Sequence, residues 1–237
     1  MSTLFPIIFA ILSILGTLLV VGGVVYAIIY FTKKKKTEKF SLSVDLLLKI
    51  YLYVISIATL AIAVIGGTML LRAGSSYAFG IPFAYETYKP NELMDIEVKE
   101  PNANTPECYE GEKTQINGQT VCFDNDKIKQ ELINGGTIFF SMVILFTIHM
   151  IGIKMIEKKN VTEWLRKTYT FLSLILYSLV GIVTIPIAIY QLSTHLLYRT
   201  EDITKYEAPA TAIAILILVL PLWIYYLLKT TKLRNKN

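Results

Sequence analysis

The chain has 237 residues, of which 54% are hydrophobic and 17% charged, with a formal net charge of +5 and mean hydropathy +0.52. An average soluble domain carries about 45–50% apolar and about 25% charged residues. The departure excludes a disordered chain, a disulfide-dense secreted mini-protein and an ordinary soluble enzyme.

Residues 1–32 carry no charged side chain, and Lys33, Lys34, Lys35 and Lys36 follow them. A signal peptide has a basic start and an apolar core of roughly 7–15 residues. This apolar run is about twice that length and has no basic start. It reads as an uncleaved N-terminal anchor helix with a lysine stop.

The second span reads over residues 41–72, with a charge-free centre between Lys49 and Arg72. Thr59, Ala63 and Gly67 recur every four residues along it, a small-residue stripe that admits a neighbouring helix.

Residues 73–131 form an acidic segment outside the bilayer. It opens on Tyr77, Phe79, Phe83, Tyr85 and Tyr88, an aromatic run suited to the membrane surface. Cys108 and Cys122 are the only cysteines, and exported cysteines usually pair. Asn117-Gly118 between two short alternating runs predicts a type I′ hairpin. In that register Lys113 lies opposite Cys122, so the bridge to Cys108 needs the chain to fold back near Gly111. The expected result is a small disulfide-stapled loop. A thiol oxidoreductase would need a Cys-x-x-Cys pair, which is missing. Asp124-Asn-Asp126 lacks the glycine and third ligand of a calcium loop. One of these aspartates is expected to cap a short helix over residues 127–133, which the Asn134-Gly135-Gly136 break separates from the next span.

The third, fourth and fifth spans read over residues 132–156, 161–198 and 208–230. Each holds a charge-free stretch of the roughly 20 residues that a crossing helix needs. All 18 acidic residues lie outside the charge-free stretches, which disfavours a proton relay. Three polar residues make a candidate intramembrane site: His149 in the third span, with Tyr177 and Thr184 on one face of the fourth. Pro186 and Pro221 free backbone carbonyls and are expected to kink the fourth and fifth helices.

The fold class is therefore an all-α integral membrane protein with five transmembrane helices. Basic residues mark the cytoplasmic side. The segments after the first and third spans and the tail together hold fifteen basic and four acidic residues. The other segments hold eight basic and fourteen acidic. Five crossings put the N-terminus outside, the C-terminus in the cytoplasm and residues 73–131 outside.

A repeat is visible within this layout. Asp45-Leu-Leu-Leu-Lys49-Ile-Tyr51-Leu-Tyr53 opens the second span, and Glu163-Trp-Leu-Arg-Lys167-Thr-Tyr169-Thr-Phe171 opens the fourth. The acid and lysine, four apart, suit a bridge along one helix face. Two similar helical hairpins follow from it, with the first helix as an addition. Leu48-Lys49-Ile-Tyr51-Leu-Tyr53, Leu165-Arg166-Lys167-Thr-Tyr169 and Leu220-Pro221-Leu-Trp223-Ile-Tyr225-Tyr226 also carry a resemblance. Over residues 41–230 the chain resembles a family of bacterial and archaeal multi-pass membrane proteins known only as a domain of unknown function. That resemblance implies a membrane fold and no activity.

No nucleotide-binding loop, zinc-protease motif or serine-hydrolase elbow occurs. No catalytic, cofactor-binding or metal-ligating set is expected, and the lysine run beside a span reads as an orientation signal rather than a nucleic-acid patch. The leading expectation is a non-enzymatic membrane protein that displays its outer loop. It would associate with lipid and with other membrane proteins or a second copy of itself. The alternative is a small-solute transporter or channel, suggested by the hairpin repeat, the two prolines and the polar fourth span.

Overall fold

A computed structural model describes residues 44–87, 112–116, 119–158, 162–198 and 207–234. The expected N-terminal span over residues 1–32 lies outside the described residues. The chain divides into two compact units, Met1–Leu47 and Leu48–Asn237. Of the first, only residues 44–47 are described; the structure from Leu48 onward belongs to the second.

Four long helices dominate: α1 (Val44–Phe79), α3 (Asn125–Glu157), α4 (Glu163–Tyr198) and α5 (Ala210–Arg234). A one-turn helix, α2 (Ile81–Ala84), follows α1. A two-stranded antiparallel hairpin, β1 (Glu112–Ile116) and β2 (Gln119–Phe123), precedes α3. All four long helices are long and apolar enough to cross a membrane. Their outward faces agree with that reading. Only 6% of the most apolar window of α3 is buried, and Phe140, Ile144, Ile148 and Ile151 face outward. An apolar surface of that extent is not stable in water.

Local signals set the helix ends. Asp124 caps α3: its carboxylate accepts the Lys127 amide at 2.9 Å. That satisfies one of the four orphan amides of the first turn. Asp126 in the first turn and Lys154 in the last suit the helix dipole. At the start of α4, Glu163 and Lys167 form the expected one-face bridge at 3.9 Å. Lys232 and Arg234 close α5. Gly80 turns α1 into α2 at φ 93°, a conformation only glycine adopts easily.

The hairpin has the expected register, with Lys113 opposite Cys122. The glycine break does not exist. α3 runs unbroken from Asn125 through Asn134, Gly135 and Gly136 to Glu157. Glycine costs a helix only about 1 kcal/mol, and packing against α1 offsets it here. A Cβ on Gly135 would meet the Leu70 amide nitrogen at 2.7 Å and the Gly66 carbonyl oxygen at 2.9 Å. A Cβ on Gly66 would meet the Phe139 nitrogen at 2.7 Å. α1 and α3 therefore touch backbone to backbone, which only glycine permits. Gly67 of the small-residue stripe similarly admits Phe139 and Leu218. α4 and α5 remain single helices through Pro186 and Pro221.

Candidate functional site

Two polar clusters sit at opposite ends of the helices. The first lies near the start of α4 and the end of α5. Tyr53, Tyr169, Tyr177 and Tyr226 are all buried together in one core. The Tyr169 and Tyr226 hydroxyls bond at 2.8 Å, and Ser56 Oγ lies 3.4 Å from the Tyr169 hydroxyl. Tyr53 donates to Glu157 Oε1 at 2.5 Å. Tyr53 packs on Tyr169 with centroids 4.8 Å apart, and Tyr177 stacks on Tyr226 at 5.7 Å. The Lys229 ammonium sits over three tyrosine rings, 5.5 Å from Tyr169, 5.5 Å from Tyr225 and 5.8 Å from Tyr226. Such contacts hold a cation where it is partly stripped of water.

The second cluster joins the hairpin to the helices. Arg72, at the far end of the α1 apolar stretch, donates from Nε to the Ala84 carbonyl at 2.9 Å. Its guanidinium also pairs with Glu131 at 3.5 Å and lies 4.5 Å over the Tyr85 ring. Tyr85 donates to Glu131 Oε2 at 2.9 Å. Burial, the hydrogen bond to Glu131 and its charge push the Tyr85 hydroxyl above its usual range, with Arg72 opposing. Below these groups, Ala84, Tyr85, Phe123, Ile128 and Ala210 form an apolar core. The base of the hairpin and the start of α3 are thus fixed to the ends of α1 and α5.

The chain matches no protein-family profile, no curated protein and no solved structure. The resemblance over residues 41–230 therefore rests on its own residues alone.

The three intramembrane candidates are not brought together. His149 Nδ1 lies 2.6 Å from the Leu145 carbonyl, and its ring faces Tyr51 with centroids 6.1 Å apart. Thr184 is buried, but its hydroxyl donates to Val180 of its own helix at 2.7 Å. Ser173 likewise donates to Tyr169 at 2.9 Å. Tyr177 alone joins the tyrosine cluster, and its buried hydroxyl has no hydrogen-bond partner among the described residues. A buried, unpaired hydroxyl is costly. Tyr177→Phe should therefore leave stability unchanged or raise it by up to about 1 kcal/mol, while Tyr169→Phe should cost about 1–2 kcal/mol. Equilibrium unfolding in mixed micelles checks the contrast.

The repeat does not place equivalent residues in equivalent settings. Tyr51 is 53% exposed, whereas its counterpart Tyr169 is 3% exposed. Lys49 is buried and donates to Thr162 Oγ1 at 3.4 Å, while Lys167 sits at the surface in the Glu163 bridge. The aromatic run also splits. Tyr77 and Phe79 are exposed, Phe83 packs edge-on against His195 at 5.5 Å, and Tyr85 is buried; Tyr88 lies outside the described residues.

Cys122 is fully buried on β2, and no described cysteine is free. Cys108 lies outside the described residues, so the expected pairing is not among the described features. No group of three histidine, cysteine, aspartate or glutamate side chains suited to a metal occurs among the described residues. Sequence reasoning missed the Arg72–Glu131–Tyr85 cluster, although a signal existed. Arg72 ends one charge-free stretch and Glu131 begins the next on the same side.

Proposed function

We propose that this is a non-enzymatic, multi-pass cell-membrane protein that displays a fixed β-hairpin outside the cell. It crosses the bilayer five times, with the N-terminus outside and the C-terminus in the cytoplasm. The observation that carries this reading is the mounting of the hairpin. Phe123 and Ile128 are buried against Tyr85, Ala84 and Ala210, so the strands are built onto the helix ends rather than tethered by a flexible loop. A disulfide between Cys108 and Cys122 would hold the preceding chain to β2. Cys122, the one described cysteine, is buried on β2, where such a bond would begin. Closing such a loop is worth about 3 kcal/mol in the chain-entropy model. A rigid surface loses little entropy on binding and suits recognition of a partner.

The partner is another membrane component or a second copy of the chain. A photo-crosslinker in place of Gln115, which is exposed on β1, should capture a membrane protein in intact cells. The same probe in place of Lys232, at the opposite end, serves as control. Equal yields at both positions would defeat the display reading.

A small-solute transporter or channel is the second reading, favoured by the unpaired Tyr177 hydroxyl. In liposomes it predicts flux of some solute that changes with Tyr177→Phe. An unchanged or absent flux across ions and small metabolites removes it.

A further inference from the structure

We propose that the cleft between α1, α3 and α5 at the lysine-rich end binds an anionic phospholipid. It would hold the headgroup phosphate at Lys154 and Lys229. The cleft has a volume of about 420 Å³. Lys154 and Lys229 line it together with Tyr225 and Tyr226. Its remaining wall is largely apolar, from Leu60, Phe146, Ile151 and Leu222. Phe146 lies two turns before Lys154 on α3, and Leu222 lies two turns before Lys229 on α5. The cleft is thus cationic at its mouth and apolar for roughly 10 Å toward the middle of the bilayer. That is the profile of a headgroup with the upper part of its acyl chains.

The charges are open to a ligand. Neither lysine forms an ion pair with a carboxylate among the described residues. Glu157 acts on Lys229 across space, but it already accepts the Tyr53 hydroxyl. Arg166 adds further positive charge there, and its Nε is buried without a partner among the described residues. Lys229 is also fixed over the aromatic rings, which reduces the entropy lost on binding. Basic pockets between membrane helices select anionic headgroups by this combination. A free phosphate ion would leave the apolar wall unused, so the lipid is the source favoured. The site is separate from the hairpin and does not depend on its role.

Delipidated protein in detergent would be heated with phosphatidylglycerol, phosphatidylcholine or inorganic phosphate, with bound lipid counted by native mass spectrometry. Phosphatidylglycerol alone should raise the melting temperature and remain bound. The double variant Lys154→Gln, Lys229→Gln should bind it roughly thirtyfold more weakly. Ile151→Trp, which fills the apolar wall and keeps both charges, should weaken it similarly. Lys232→Gln with Arg234→Gln removes the same charge from the same end and should leave binding within about threefold. If the double lysine variant does not fold, the wild-type lipid comparison and Ile151→Trp still decide. An equal shift with inorganic phosphate overturns the lipid assignment. Equal binding of both lipids, or equal loss in the cleft and control variants, overturns the site.

Discussion

Gly135→Ala is expected to destabilise the helix bundle by about 3 kcal/mol, while Gly136→Ala, one residue on, is expected to stabilise it by about 0.5–1 kcal/mol. Intrinsic propensity favours alanine equally at both positions. Packing separates them. The added methyl at Gly135 would lie 2.7 Å from the Leu70 nitrogen and 2.8 Å from Met69 Cβ. Those atoms belong to α1 itself and cannot rotate aside. At Gly136 the nearest atom is the Leu70 Cδ1 at 3.8 Å, an ordinary contact. Relieving the first clash requires α1 and α3 to move apart, which also loosens Gly66 and Gly67 against Phe139. Unfolding titrations in mixed micelles measure both variants. Equal stability of the two would refute the backbone contact between α1 and α3.

Arg72→Ala is expected to cost about 3 kcal/mol and to loosen the hairpin first. The guanidinium makes three contacts that no smaller side chain replaces: the Ala84 carbonyl, Glu131 and the Tyr85 face. Its removal leaves Glu131, whose side chain is only 14% exposed, as a poorly solvated charge. That carboxylate, left without a counter-charge and held by the Tyr85 hydroxyl alone, is the larger part of the expected cost. Glu131→Gln in the same background should restore part of the lost stability, because it removes the uncompensated charge. A double-mutant cycle reads the coupling directly. Additive costs would mean that Arg72 and Glu131 act independently.

The four described spans were legible because charge-free length is a one-dimensional property. So was the hairpin, since Asn117-Gly118 sets one register, and so was an aspartate cap, although not that Asp124 rather than Asp126 supplies it. The rotation of each helix was not legible. These helices are apolar nearly all round, so residue spacing does not say which face turns inward. That is why Tyr51 and Tyr169, matched in the repeat, differ in burial, and why His149 turns toward Tyr51 rather than Tyr177. Gly135 shows a second limit. Two adjacent glycines read equally as a break or as a close approach, and only the neighbouring helix decides. Thr184 shows a third: a hydroxyl in a helix can satisfy itself on its own backbone, so its presence does not define a polar path.

In the proposed topology the hairpin and the α5 tail lie on opposite sides of a membrane, separated by three crossings through α3, α4 and α5. Single reporter thiols at Gln115→Cys and Lys232→Cys, each read against the labelling of the unsubstituted chain, test it most directly. A membrane-impermeant maleimide applied to intact cells should label the Gln115→Cys protein at once and the Lys232→Cys protein only after permeabilisation. Labelling of both from the same side would contradict the three crossings, and the reversed order would contradict the orientation.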